Sequence, residues 1–301
     1  MAVRALVTGA TGFIGGRLTT ALVDAGVEVR CLVRDRERAQ RAGLERCELH
    51  EGDVTDASSL EGAGRDIDVA YFLIHAMAGG SGYEQRERAG ALNFARMAKR
   101  EGVGRVIYLG GLGDERVSAH LRSRHETALV LAREGPPLTY FRAAMVVGAH
   151  SESYRTLRYL VRRLPVMIAP AWLKTRTQPI AIDDVVEYLR RAPDVAACAA
   201  REVQIGGPDV LSCTAMLDRM ALAMGKRPRP KLPVPFISPW LSALWLGLVT
   251  PVDTRVARPL VDGLRTETIV ADPSGMRLFP IEPVGFDEAL RRALREEAQL
   301  A

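Results

Sequence analysis

A glycine-rich turn close to the start of the chain, Val7-Thr8-Gly9-Ala10-Thr11-Gly12-Phe13-Ile14-Gly15, limits the accessible folds more than any other feature. An apolar run at 3–7 precedes it. Ile14, Leu18 and Leu22 follow at helical spacing until Gly26 stops them. Strand, glycine turn and helix in that order are the elements of a phosphate-binding βα unit. One glycine permits the tight turn, one lets the backbone approach a pyrophosphate, and one lets helix and strand close together. The helix N-terminus adds exposed N–H donors and a partial positive charge. Gly9, Thr11, Gly12, Phe13, Ile14 and Gly15 are therefore expected to form a cofactor-binding loop.

The next two hundred residues repeat the alternation. Strands are expected at 27–33, 47–49, 69–74, 105–109 and 138–147, with helices at about 84–101 and 120–133 between them. The run 69–74 is almost wholly apolar, as a central strand covered on both faces must be. Right-handed crossovers make this an α/β, doubly wound parallel sheet of Rossmann type. Beyond residue 150 prolines and tryptophans thicken, and 180–189 and 203–205 read as a return to the sheet. The expected organisation is a nucleotide-binding domain over 1–150, its sheet completed by about 178–206. A smaller C-terminal cap over 151–301 is interleaved with it.

Composition narrows the function classes. The four cysteines form no CxxC pair and no zinc-like spacing with histidine, so no metal site is expected. The first strand starts too early to leave room for a leader, and the apolar stretch 236–249 is too short to span a bilayer; a cytoplasmic protein is expected. A net charge of +5 is modest. Arg36, Arg38 and Arg41, and Arg155, Arg158, Arg162 and Arg163, read as solvated helix faces, so nucleic acid is not an expected partner. No pattern fixes an oligomeric state.

The end of the second strand selects the cofactor. An acidic residue there suits a ribose 2′-hydroxyl, and an arginine suits a 2′-phosphate. The sequence reads Val33-Arg34-Asp35-Arg36, which favours NADP over NAD through Arg34, with Asp35 as the opposing signal. Asp53 and Val54, after the third strand, are expected to meet the adenine.

These residues resemble the short-chain dehydrogenase/reductase superfamily in its atypical, extended branch. The loop Thr8–Gly15, the segment Gly52-Asp53-Val54, the strand Arg105-Val106-Ile107-Tyr108-Leu109-Gly110-Gly111-Leu112-Gly113 and the segment Gln178-Pro179-Ile180-Ala181-Ile182-Asp183-Asp184-Val185 carry the resemblance. Tyr71-Phe72-Leu73-Ile74-His75-Ala76-Met77 and His120-Leu121-Arg122-Ser123-Arg124 resemble, more narrowly, the NAD(P)H-binding proteins grouped near the complex I 39-kDa subunit. The resemblance implies hydride transfer to or from a carbonyl or activated double bond. It also implies that His75 meets the nicotinamide side of the cofactor, and that the C-terminal region shapes a substrate pocket.

One departure matters for chemistry. Catalytic members carry Tyr-x-x-x-Lys on the helix after the fifth strand and a serine at that strand's end. Here the strand ends in Gly110-Gly111 and the matching pair is His120-x-x-x-Arg124, four residues apart on one helix face. His120 suits a general acid because imidazole titrates near neutrality, and Arg124 suits a fixed cation for ribose hydroxyls. The same two residues also suit a solvated helix whose catalysis has been lost. The aromatic stretch 236–245 beside the cleft implies a bulky, apolar small-molecule substrate or, with Lys226, Arg227, Arg229 and Lys231, a docking face for a membrane surface or protein partner. Three functions stay open: an NADP(H)-dependent oxidoreductase, a cofactor-binding sensor or scaffold without turnover, and an isomerase or lyase that borrows the cofactor.

Overall fold

A computed structural model describes residues 3–74, 82–234 and 266–299. His75 and the stretch 236–245 lie outside the described residues. Seven parallel strands form the main sheet: β1 (Arg4–Thr8), β2 (Glu28–Val33), β3 (Glu48–Glu51), β4 (Val69–Phe72), β5 (Arg105–Gly111), β6 (Leu138–Ala143) and, after four short strands, β11 (Arg201–Ile205). Their order is β11-β6-β5-β4-β1-β2-β3. The order reverses between β1 and β4, and an open α/β sheet binds ligands in the crevice at such a switch point. Register is continuous there: Val7 stands beside Cys31 on one side and Tyr71 on the other.

Helices cover both faces. α1 (Phe13–Asp24) lies on one, and α2 (Arg36–Arg41) follows β2. α3 (Tyr83–Arg100) and α4 (Ala119–Glu134) lie on the other face and pack against each other. All four residues of β4 are buried, as its unbroken apolar run requires. Ser118 caps α4 by accepting from the Leu121 N–H at 3.4 Å, and Asp35 caps α2 by accepting from the Arg38 N–H at 2.9 Å.

The remaining short strands are β7 (Val146–Val147), β8 (Met167–Ala169), β9 (Arg176–Thr177), β10 (Ile180–Ala181), β12 (Leu211–Ser212) and β13 (Lys231–Pro233). They pair as β7 with β10, β9 with β12, and β8 with β13. The return to the sheet expected at 180–189 is corrected: only Ile180 and Ala181 are extended, and they pair with β7 outside the main sheet. From Ile182 the chain forms α6 (Ile182–Arg191), which buries Ile182, Val185, Val186 and Leu189 at helical spacing and packs on α1. The strand expected at 138–147 likewise stops at Ala143. By contrast 203–205 falls inside β11, beside β6.

A third core joins α5 (Glu152–Arg163), α7 (Cys213–Ala223) and α8 (Phe286–Gln299) through Tyr154, Leu157, Met216, Leu217, Met220, Phe286 and Leu290. Among the described residues no helix is long and apolar enough to cross a membrane, and no cluster of three metal-ligating side chains occurs.

Candidate dinucleotide cleft

A cavity of about 700 Å³ opens at the carboxyl ends of β1, β2 and β4. Its floor is the glycine turn. Gly9 has φ +68°, and a Cβ there would stand 2.7 Å from the carbonyl oxygen of Leu73. A Cβ on Gly15 would stand 2.2 Å from the Gly9 oxygen, so α1 presses on the end of β1. The turn is closed by the Gly12 N–H donating to the Gly9 oxygen at 2.8 Å. Gly12 itself precedes α1 and supplies no side-chain cap, so the helix's first N–H groups gain no side-chain acceptor from it. Gly9, Thr11 and Gly12 line the cavity. Phe13, Ile14 and Gly15 do not: the Phe13 ring packs under the Arg17 guanidinium at 4.5 Å, and Gly15 serves the helix–strand contact.

Arg34, Asp35 and Arg38 line the wall beyond β2. Asp35 is engaged as the α2 cap, accepting from the Arg38 backbone. Arg36 turns away and donates to the Leu49 oxygen at 3.0 Å. Arg34 and Arg38 are exposed and form no ion pair with a described carboxylate, leaving two cations beside the cavity. On the same side, the Asp53 carboxylate accepts from the N–H and hydroxyl of Thr55, each at 2.8 Å. Val54 is buried, and its carbonyl accepts from Asn93 of α3 at 2.9 Å.

The opposite wall is formed by Leu73, Ile74, Arg86 and Glu87. Glu87 is only 6% exposed and accepts from the Ser123 hydroxyl at 2.6 Å. Sequence reasoning missed this carboxylate. Its signal was a charged residue on the buried stripe Glu87, Ala91, Phe94 of α3. Arg38 was grouped with solvated arginines and missed for the same reason, since helix periodicity does not show which exposed face borders a cleft.

Beyond this wall lies the end of β5. A Cβ on Gly110 would stand 2.8 Å from the Tyr140 hydroxyl, and one on Gly111 would stand 2.5 Å from Leu121 of α4. The space of the absent serine is filled by neighbours. Arg124 sits on the same side, its Cδ 3.9 Å from that Gly111 position, and its buried Nε has no hydrogen-bond partner. His120 lies one turn earlier on α4, half-buried. Neither His120 nor Arg124 is among the described residues lining the cavity. Burial pushes the phenols of Tyr108 and Tyr140 well above their ordinary range, and the Arg124 charge opposes that shift in both.

Arg142 braces the loop between β5 and α4. It donates to the Gly111 and Gly113 oxygens, each at 3.1 Å, and pairs with Glu115 at 2.9 Å and Glu202 at 3.2 Å. A structural role for this arginine follows from those four partners.

Residues 9–155 match a family described as NAD(P)H-binding. A 3β-hydroxysteroid dehydrogenase/Δ5→4-isomerase of Mycobacterium tuberculosis is 36% identical over 115 residues, which cover 35% of this chain and only 30% of that protein. Among solved structures, a triphenylmethane reductase of Citrobacter sp. complexed with NADP(H) superposes with a TM-score of 0.76 at 16% identity, over 96% of this chain and 99% of that one. A UDP-glucose 4-epimerase of Thermotoga maritima superposes with a TM-score of 0.73 at 16% identity, over 99% of both chains. Residues 9–155 thus resemble NAD(P)H-binding domains, and the chain as a whole shares the fold of these solved structures.

Proposed function

We propose that this protein is an NADP(H)-dependent oxidoreductase acting on a carbonyl or activated double bond of an apolar small molecule. The observation that carries the reading is the 700 Å³ cavity with the glycine turn as its floor and two unpaired arginines, Arg34 and Arg38, at one end. The residues fit a dinucleotide: only glycine at positions 9 and 15 lets the turn that floors the cavity form, since a Cβ at either would strike a backbone oxygen. They also support NADP over NAD. Asp35, the residue that would favour NAD, is committed to capping α2, while the two guanidiniums suit a 2′-phosphate.

Gly9, Thr11 and Gly12 would hold the pyrophosphate, Arg34 and Arg38 the 2′-phosphate, and Asp53 and Val54 the adenine. When bound, the nicotinamide supplies the hydride equivalent. His120 would hold the proton delivered to the substrate oxygen or carbon, and Arg124, with its buried Nε–H lacking a partner, would orient ribose hydroxyls. Arg142 fixes the loop that leads to both. His75 is proposed as a further contact on the nicotinamide side. The C-terminal region, 151–301, would cap the site and exclude water. The names of the mycobacterial dehydrogenase/isomerase and of the triphenylmethane reductase are consistent with a bulky, apolar substrate. A cytoplasmic location accords with this chemistry.

A second reading is favoured by one observation. Tyr140 and Leu121 occupy the space a catalytic serine would need, which suits a protein that binds NADP(H) as a sensor or scaffold without turning it over. The experiment that separates the two follows nicotinamide absorbance while NADPH-loaded protein meets quinones, enones, aldehydes and ketones, with His120→Ala alongside. Oxidation that falls at least about 100-fold in the variant supports the oxidoreductase. Tight NADPH binding without oxidation of any compound supports the sensor.

A further inference from the structure

We infer that Glu87, braced by Ser123, accepts hydrogen bonds from the hydroxyls of the ribose on the nicotinamide side of the bound dinucleotide. The inference rests on the reading of the cavity as a dinucleotide site and adds a binding residue to it.

Glu87 is a carboxylate only 6% exposed, yet it lines the cavity shared with the glycine turn. A buried carboxylate accepts hydrogen bonds and donates none, so it suits a ligand that presents hydroxyls and repels one that presents phosphate. Its position along the cleft follows from the faces of α3. Toward β3, Gly90 lies so close to Val54 that a Cβ would stand 2.8 Å from its Cγ2, and Asn93 donates to the Val54 oxygen. Glu87 lies on the flank facing α4, where it accepts from Ser123 at 2.6 Å and where Arg88 pairs with Glu126. Arg34 and Arg38 stand at the end of β2, on the far side of β1. A dinucleotide whose 2′-phosphate lies at Arg34 crosses the glycine turn before it reaches Glu87. The sugar it meets there is the second ribose, not that of adenosine.

Ser123 gives the carboxylate a fixed orientation. It is 3% exposed, and its bond ties α3 to the helix that carries His120 and Arg124. The tyrosine–lysine pair that serves this ribose in catalytic relatives is absent here. An acidic acceptor on α3, tied through Ser123 to α4, accepts from the hydroxyl protons of a vicinal diol, the contact that a cation cannot supply.

Calorimetric titration tests this with three ligands: NADPH, 2′-phospho-ADP-ribose, which keeps the second ribose, and 2′,5′-ADP, which lacks it. Glu87→Ala is expected to weaken the first two about ten-fold or more while 2′,5′-ADP stays within about two-fold. Glu87→Gln, which retains one carbonyl acceptor, falls between. Ser123→Ala leaves the carboxylate but removes its brace and shows the same ligand pattern at smaller size, which keeps the test open if Glu87→Ala does not fold. Equal weakening for all three ligands would place Glu87 at the adenosine end and overturn the inference. Unchanged affinities with a lowered Tm would make the Glu87–Ser123 bond an interhelix brace only and overturn it as well. A wild-type protein that binds none of the three would overturn the cofactor reading itself, a different result from either.

Discussion

A methyl group on Gly15 would stand 2.2 Å from the carbonyl oxygen of Gly9. The first turn of α1 and the end of β1 thus touch through bare backbone, and the glycine turn owes its shape to that contact. Gly15→Ala must push the helix off the strand, at a cost of about 3 kcal/mol. Gly9→Ala faces both φ +68° and the Leu73 oxygen at 2.7 Å. Urea unfolding is expected to show both losses, with nucleotide affinity falling further than stability alone explains. Full binding by folded Gly15→Ala protein would remove the turn from the site.

Arg34 and Arg38 are the cations assigned to the 2′-phosphate. The double substitution Arg34→Ala, Arg38→Ala is expected to lower NADPH affinity about 100-fold and to leave NADH within about three-fold, as loss of two charge-assisted contacts implies. The wild-type preference should also weaken with salt, because both side chains are exposed. An unchanged ratio of the two affinities would assign the selectivity elsewhere.

Arg30 is a structural counterpart to these. It is 8% exposed on β2 and its Nη1 donates to the oxygens of Gly62, Ala63 and Arg65, at 3.2, 3.0 and 2.9 Å. The single guanidinium closes the turn before β4. Arg30→Met fills the volume but leaves those carbonyls without a donor, and about 3 kcal/mol of stability should be lost with cofactor affinity of the folded fraction unchanged. Denaturant midpoints read the first and calorimetry the second.

On α6 the hydrogen bond from Arg190, then that from Arg191, holds the Glu187 carboxyl down at about 2, from an ordinary 4.5. A depressed folded pKa stabilises above the unfolded value and fades as pH falls from about 4.5 toward 2. Glu187 is 31% exposed, so solvent screening reduces the effect to about 1 kcal/mol. Glu187→Gln is expected to cost that amount at pH 7 and much less at pH 3, which urea midpoints at the two pH values check. An equal cost at both would attribute it to packing.

Much of this architecture was legible in the sequence because local rules decide it. Gly9, Gly12 and Gly15 are placed by turn geometry, and 69–74 by burial on two faces. The segment 180–189 reads as a strand in sequence because the buried Ile182, Val185, Val186, Tyr188 and Leu189 of α6 follow the extended Ile180 so densely that they resemble a continuous apolar run. Glu87 and Ser123 stand 36 positions apart, and only the packing of α3 on α4 brings them together. No periodicity within either helix carries that pairing. The same holds for Tyr140, whose hydroxyl fills the space beside Gly110 from a neighbouring strand.

The proposed NADP(H) site lies in the cleft between β1 and β4. Calorimetric titration of the wild-type protein with NADPH and NADH tests it most directly. The account predicts one saturable site per chain, with NADPH bound at least about ten-fold more tightly than NADH. Folded protein that takes up neither nucleotide would contradict it, and a clear preference for NADH would contradict the roles given to Arg34 and Arg38.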